Sequence, residues 1–123
     1  MSSHAAEALV IAVDLSTTAC KALAFCPHGE VVASARRSIE MSSPQPGWRE
    51  QSSEEWWAAT CETLREVSDG RQPSTIRAVG ITHQRESFVC LDEDGYPLRP
   101  AILWNDDRST AQVKSLGSER IHE

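Results

Sequence analysis

The sequence predicts a mixed α/β fold in which the sheet opens with three antiparallel strands. Three short apolar segments with β character, 9–15, 20–25 and 31–35, follow one another with only turn residues between them. A helix pattern comes next, and another apolar segment lies behind it at 76–82. Because a helix that crosses between two strands usually joins parallel neighbours, this order predicts antiparallel pairing first and a later strand in a mixed sheet.

The helix is predicted to start after Ser52, which forms a capping box with Glu55, and to end at a cap on Gly70. Its core-facing side is predicted from residues at helical spacing, namely Trp57, Cys61, Leu64 and Val67. Successive helical residues differ in direction by ~100°, so Trp56 is expected to pack elsewhere, against the preceding loop.

The other segments have weaker patterns. Residues 38–51 contain two prolines and a glycine and are predicted to form a surface loop. A strand is predicted at 88–91, followed by a tight turn at Asp94 and Gly95 and an apolar segment at 98–104. Residues 105–116 are predicted to contain the start of a second helix.

Composition and charge exclude several classes of function. The 123 residues include 12 basic and 18 acidic side chains, and the net charge of −6 argues against a nucleic acid partner. No apolar run approaches the ~20 residues of a membrane helix, so we expect a cytoplasmic protein with no signal peptide and no membrane partner. The cysteines lack CxxC spacing and the histidines lack metal-ligand spacing, which favours free thiols and no zinc site.

The first candidate site is the turn that follows the first predicted strand. Asp14 ends that strand, and hydroxyl side chains follow it before Lys21, at Ser16, Thr17 and Thr18. Backbone N–H groups and hydroxyls in such a turn can surround a terminal phosphate, while the aspartate holds Mg²⁺. An ordinary hairpin with small polar residues in its bend is an equally good interpretation of this segment alone.

The second candidate follows the predicted strand at 76–82, where α/β sheets often place ligand-binding residues. Gln84, Arg85 and Glu86 offer donors and an acceptor, which a molecule bearing several hydroxyls requires. A solvated surface ion pair between Arg85 and Glu86 is the alternative, and it is the commoner outcome for such a dipeptide.

The third candidate is the polar segment after the apolar run at 98–104. The ring of Trp104 could lie against the carbon face of a polyol, while Asp106 accepts a hydrogen bond from a hydroxyl. The alternative places Trp104 in the core and leaves Asp106 or Asp107 to cap the next helix.

Taken together, these segments resemble the N-terminal part of the FGGY carbohydrate kinases. The matching motifs stand in family order at residues 12–18 (AVDLSTT), 47–51 (GWREQ), 55–57 (EWW), 79–86 (VGITHQRE), 91–95 (LDEDG) and 98–106 (LRPAILWND). The resemblance implies an actin-like ATPase (ribonuclease-H-like) domain that uses ATP and Mg²⁺ to phosphorylate a sugar or small polyol. It further implies that Asp14 lies at the metal, that Thr17 and Thr18 lie at the phosphates, and that Arg85, Glu86 and Trp104 contact the substrate.

Two details of the motifs refine this expectation. The family usually has glycine at the position of Ser16, so the Cβ here is expected to restrict the turn and its approach to phosphate. The run Gln84-Arg85-Glu86 is more similar to that of glycerol kinases than to the Met-His of xylulokinases and gluconokinases, which favours a small polyol as substrate.

Family members are much longer, and they place the catalytic aspartate beyond the position of residue 123. We therefore expect residues 1–123 to be the N-terminal part of the first kinase domain, inactive alone, with an unsatisfied sheet edge that favours dimerisation or swapping. A non-catalytic module that binds a polyol or a protein is the alternative. A two-metal nuclease built on Asp14 with Glu55 or Asp107 is disfavoured by the negative charge.

Overall fold

The computed structural model describes residues 8–117, and it divides into two compact units. The first unit comprises residues 8–40 and 53–84, and the second comprises residues 41–52 and 85–117. Within residues 8–117, no helix is both long and apolar enough to cross a membrane.

A four-stranded mixed sheet forms the first unit. Its strands are β1 (Leu9–Leu15), β2 (Ala19–Phe25), β3 (Val31–Ser38) and β5 (Ile76–His83), in the spatial order β3-β2-β1-β5. The first three pair antiparallel, and β5 pairs parallel to β1. The predicted mixed sheet, with three antiparallel strands at its start, is therefore confirmed.

One face of this sheet carries the core. Alternate residues of β1 are buried, including Ile11 and Val13, and the register pairs them with Ala24 and Ala22 of β2. The small alanines leave room for helix α1 (Ser53–Ser68), which packs across β2 and β3. Gly70 has a φ of +68°, a left-handed conformation that suits the predicted C-terminal cap.

The helix buries only part of the predicted face. Trp57 is 71% exposed, whereas Trp56 packs against the core cluster, so the assignment of Trp57 to the core is wrong. The buried stripe runs through Ala59, Thr63 and Val67, and of these three residues Val67 was predicted. Thr63 is accommodated there because its hydroxyl donates to the Ala59 carbonyl at 2.9 Å.

The outer strand β5 is almost fully exposed. Val79 and Ile81, which pair with Ile11 and Val13, are 48% and 67% exposed. Among residues 8–117, β5 pairs only with β1, which leaves its other edge open.

Short strands and turns make up the second unit. Strands β4 (Glu50–Gln51) and β6 (Ala101–Ile102) pair antiparallel, and helix α2 spans Thr110–Leu116. The strand predicted at 88–91 is wrong, because Phe88 and Leu91 form only isolated bridges. The predicted turn at Gly95 is confirmed, with a φ of +86° and a hydrogen bond from Gly95 N to the Asp92 carbonyl.

Candidate functional site

The hairpin between β1 and β2 is closed by one backbone hydrogen bond, from Ser16 N to the Ala19 carbonyl at 3.0 Å. Within the described residues, Glu86 is the only non-glycine residue with positive φ, so Ser16 has an ordinary backbone conformation. The Cβ of Ser16 therefore meets no left-handed backbone in this turn, and the expected restriction of its approach to phosphate stays a prediction. The Ser16 hydroxyl donates to Asp14 Oδ1 at 2.8 Å and fixes that half-buried carboxylate.

Thr17 connects this hairpin to the end of β5. Its hydroxyl donates to Gln84 Oε1 at 3.0 Å, and Gln84 N donates to the Leu15 carbonyl at 3.0 Å. Thr18 is exposed, and Lys21 is exposed directly opposite Asp14 in the register. The first unit thus brings the predicted phosphate-site residues together and adds Gln84 to them.

Asp14 offers one carboxylate, and one carboxylate is enough for a Mg²⁺ ion that is bound mainly by a nucleotide. Within residues 8–117, no group of three or more acidic, histidine or cysteine side chains is arranged to enclose a metal. Protein sites for Mg²⁺ commonly supply only one or two carboxylates and leave the other positions to waters and substrate phosphates. Asp14 is suited to that role, with Oδ1 oriented by Ser16.

Arg85 and Glu86 belong to the second unit, and both side chains are exposed. Glu86 has a φ of +63°, the left-handed region that costs a non-glycine residue about 1–2 kcal/mol. No ion pair joins Arg85 to Glu86, and among the described residues neither side chain has a hydrogen-bonding partner. The simple ion-pair alternative does not describe this dipeptide.

Trp104 lies next to this pair in the second unit. Its backbone N–H donates to the Ser87 hydroxyl at 3.0 Å, and Phe88 bridges to Ile102. Trp104 is 57% exposed, so the alternative that placed it in the core is wrong. The predicted contacts to a polyol at Arg85, Glu86 and Trp104 therefore lie on adjoining segments.

Asp106 has a more constrained environment than the sequence suggested. Its side chain is 2% exposed, and Arg108 Nε and Nη2 donate to its two oxygens, each at 2.7 Å. The backbone N–H groups of Arg49 and Arg108 also donate to it, at 2.6 and 2.9 Å. These hydrogen bonds, from the Arg108 side chain above all, hold the pKa of Asp106 well below its usual range.

Arg108 is itself fixed by two residues of the preceding GWREQ motif. Its guanidinium lies 3.7 Å from the centroid of the Trp48 ring, and Nη2 donates to Glu50 Oε1 at 2.9 Å. We call Trp48, Glu50, Asp106 and Arg108 the Asp106 network. The sequence reasoning did not identify Trp48, Glu50 and Arg108 as neighbours of Asp106, although the GWREQ motif was a signal that this segment has a specific partner.

The predicted site residues thus fall into two sets. Asp14, Ser16, Thr17, Thr18, Lys21 and Gln84 are in the first unit, whereas Arg85, Glu86, Trp104 and Asp106 are in the second. The first unit, with the strand order β3-β2-β1-β5, superposes on the N-terminal part of solved sugar kinases, which have an actin-like ATPase fold. The xylulose kinase of Rhodospirillum rubrum superposes with a TM-score of 0.81 at 32% identity, covering 94% of this chain and 23% of that one.

The chain belongs to the FGGY family of carbohydrate kinases, whose N-terminal domain model matches residues 9–123. It is 40% identical over 116 residues to the glycerol kinase of Gloeobacter violaceus, covering 94% of this chain and 23% of that protein. It is 38% identical over 108 residues to the xylulose kinase of Escherichia coli, covering 88% of this chain and 22% of that protein. The glycerol kinase of Plasmodium falciparum with ADP superposes with a TM-score of 0.82 at 25% identity, over 92% of this chain and 23% of that chain.

These matches confirm the predicted family and fold. The chain spans 22% to 23% of the length of those two curated relatives. The four cysteines are free thiols, and we expected them to be buried: Cys20 and Cys26 are buried, whereas Cys90 is exposed.

Proposed function

We propose that this chain supplies the polyol-contacting residues and the phosphate-facing hairpin of an ATP-dependent kinase for a small polyol such as glycerol. The observation that carries the proposal is the pair Arg85 and Glu86, exposed, unpaired among the described residues and beside Trp104, with Glu86 in a strained backbone conformation. Strain of about 1–3 kcal/mol tends to be retained where a side chain has to be presented in one direction.

The chemistry of these side chains suits a polyol. A guanidinium donates hydrogen bonds and a carboxylate accepts them, so Arg85 and Glu86 together can satisfy both the oxygen and the hydrogen of adjacent hydroxyls. The exposed indole of Trp104 offers an apolar surface for the carbon chain. A glycerol-like substrate has both features within the reach of three side chains.

The hairpin suits the nucleotide side of the reaction. Thr17 and Thr18 would face the phosphates, Lys21 adds a positive charge, and Asp14 would hold Mg²⁺ directly or through water. The bound metal would neutralise charge on the transferring phosphoryl group. Ser16 and Gln84 keep Asp14 and Thr17 in position through the two side-chain hydrogen bonds described above.

A chimeric enzyme tests the proposal. This chain would replace the aligned N-terminal segment of the Gloeobacter violaceus glycerol kinase, and ATP-dependent phosphorylation of glycerol, xylulose and gluconate would be measured. We expect transfer to glycerol in preference to xylulose, because the Arg85 and Glu86 pair recognises the small polyol. Expression of the gene with any coding sequence that follows residue 123 gives a second enzyme for the same assay.

The control is a matched chimera that carries the N-terminal segment of the Halorhodospira halophila glycerol kinase, which is 37% identical to this chain over 110 residues. If the control chimera is active while the chimera with this chain is folded and transfers phosphate to none of the three compounds, the proposal is wrong.

A further inference from the structure

The turn that carries Trp104 is hydrogen-bonded to a single residue of the GWREQ motif, Arg49, through both its N–H and its carbonyl. Leu103 N donates to the Arg49 carbonyl at 3.0 Å, and Arg49 N donates to Asp106 Oδ2 at 2.6 Å. Asp106 N donates to the Leu103 carbonyl at 3.1 Å, which closes the turn. Trp104 is the second residue of this turn, so its backbone direction depends on how Leu103 and Asp106 are held.

The carboxylate of Asp106 is the main side-chain group that holds this turn in place. Both of its oxygens accept hydrogen bonds, and its side chain is 2% exposed. A group with this environment is poorly placed to accept a further hydrogen bond from a polyol. Asp106 would therefore affect a bound ligand indirectly, through the turn from Leu103 to Asp106 that its carboxylate stabilises.

Arg108 determines where that carboxylate lies. It donates two parallel hydrogen bonds to Asp106, and the Trp48 ring on one side and Glu50 at Nη2 restrict its own position. A planar guanidinium that is both bidentate and stacked is not replaced by a lysine ammonium, although the charge is the same.

We propose that Arg108 is a positioning residue for Trp104, acting through Asp106, so that the exposed indole is presented to the carbon face of the polyol in one orientation. This inference rests on the proposed function for the identity of the ligand. It assigns Asp106 to the support of Trp104 and leaves the direct contacts to Arg85, Glu86 and Trp104.

The first measurement needs no ligand. In the 123-residue chain, ¹⁵N relaxation of the indole N–H groups reports side-chain order, and Trp104→Phe identifies the resonance. We expect Arg108→Lys to lower the order parameter of the Trp104 indole to a value typical of flexible groups, below ~0.6, while those of Trp56 and Trp57 stay unchanged. Arg99→Lys is the matched control, because Arg99 is more exposed and, among residues 8–117, its ion pair is with Glu50 alone, at 3.7 Å.

The second measurement is a double-mutant cycle on glycerol binding to the same chain. Arg108→Lys should weaken the Kd roughly five-fold when Trp104 is present and by less than about two-fold in the Trp104→Ala background. An equal loss in both backgrounds would show a merely structural role and overturn the inference. An unchanged Kd together with an unchanged indole order parameter would overturn it as well.

The two arms separate this inference from the proposed function. If the wild-type chain binds no glycerol, the proposed function loses its support, and the indole measurement alone decides the role of Arg108. If Arg108→Lys does not fold, Glu50→Gln removes one partner of Arg108, and the same fall in Trp104 order, smaller in size, is expected. An unchanged order parameter in a folded Glu50→Gln chain would then count against the inference.

Discussion

Glu86 is the described residue whose backbone conformation is least favourable for its side chain. Its φ of +63° is unfavourable for a side chain with a Cβ, and glycine would adopt it without cost. Nothing in the order of residues around Glu86 identifies this conformation, because Arg-Glu dipeptides are common on ordinary surfaces. It became visible only in the folded backbone.

A pair of substitutions tests this strain. Glu86→Gly and Glu86→Ala both remove the carboxylate, but only the glycine removes the steric conflict at Cβ. We expect the glycine variant to exceed the alanine variant in free energy of unfolding by about 1 kcal/mol. Urea unfolding of both variants measures the difference, and equal stability would show that the backbone here is unstrained.

Asp106 predicts a specific pH dependence of stability. Its folded-state pKa is lowered, chiefly by hydrogen bonds from Arg108, so the unfolded chain binds the proton more readily than the folded one. The stabilisation is therefore present above the unfolded pKa of ~3.9 and is lost as the pH falls below it.

We accordingly expect the free energy of unfolding to fall less steeply between about pH 5 and pH 2 in Asp106→Asn than in the wild type. Asp107→Asn, at an exposed neighbouring position, should retain the steep wild-type slope. Urea titrations at several pH values check this, and parallel curves for the wild type and Asp106→Asn would be inconsistent with the assigned hydrogen bonds.

At the scale of elements, local periodicity predicted the strands of the first unit within a few residues. The alternation of β1 and the bend at Ser16 are local properties, and the sequence displays them directly. Helix α1 was placed correctly, and Leu64 and Val67 of its predicted core face do pack in the core, but Trp57 does not. Trp56 and Trp57 are adjacent and both begin an apolar series at helical spacing, so only the packing against β2 and β3 decides between them.

The two tryptophans form a matched pair for experiment. Trp56→Ala should lower the free energy of unfolding by about 3 kcal/mol, since it removes a ring that packs against the core cluster. Trp57→Ala should change it by less than about 0.5 kcal/mol, because its side chain is largely exposed. Thermal and urea unfolding measure both, and the reverse order would mean that the other helix face is buried.

The structure of the second unit was harder to predict, because its hydrogen bonds join residues that are far apart in the sequence. Arg49 and Asp106, which share the shortest hydrogen bond of the Trp104 turn, are 57 residues apart in the chain. Strands β4 and β6 have two residues each, too few for any periodic pattern. Arg85, Glu86 and Trp104 were nevertheless singled out from the sequence, through the resemblance of their motifs to a family, and their contact with a polyol stays a prediction.

On the scale of the whole molecule, the sheet has two different edges. The outer strand β3 exposes Val31 and Val32 but also carries Arg36 and Arg37, charges that discourage edge pairing, whereas β5 exposes Val79 and Ile81. Antiparallel pairing of two copies of β5 about Gly80 would set Val79 of one copy opposite Ile81 of the other. It would also set Arg77 opposite His83. Because β5 contains no acidic residue, this pairing would bring no two carboxylates together.

We therefore expect the 123-residue chain to self-associate through β5. Ile81→Lys should shift sedimentation towards monomer, because it places a charge in the apolar pair. Val32→Lys, on the opposite edge strand, should leave the distribution unchanged. A wild-type chain that sediments as a monomer at all concentrations would contradict this expectation.

The central claim is that the two sets of residues serve two different substrates of one phosphoryl transfer. The most direct measurement is the steady-state kinetics of the glycerol kinase chimera with Arg85→Lys or Thr17→Val. The account predicts that Arg85→Lys raises the KM for glycerol roughly ten-fold or more and leaves that for ATP within about two-fold, while Thr17→Val does the reverse. A folded, active chimera in which neither substitution changes either KM would contradict the account.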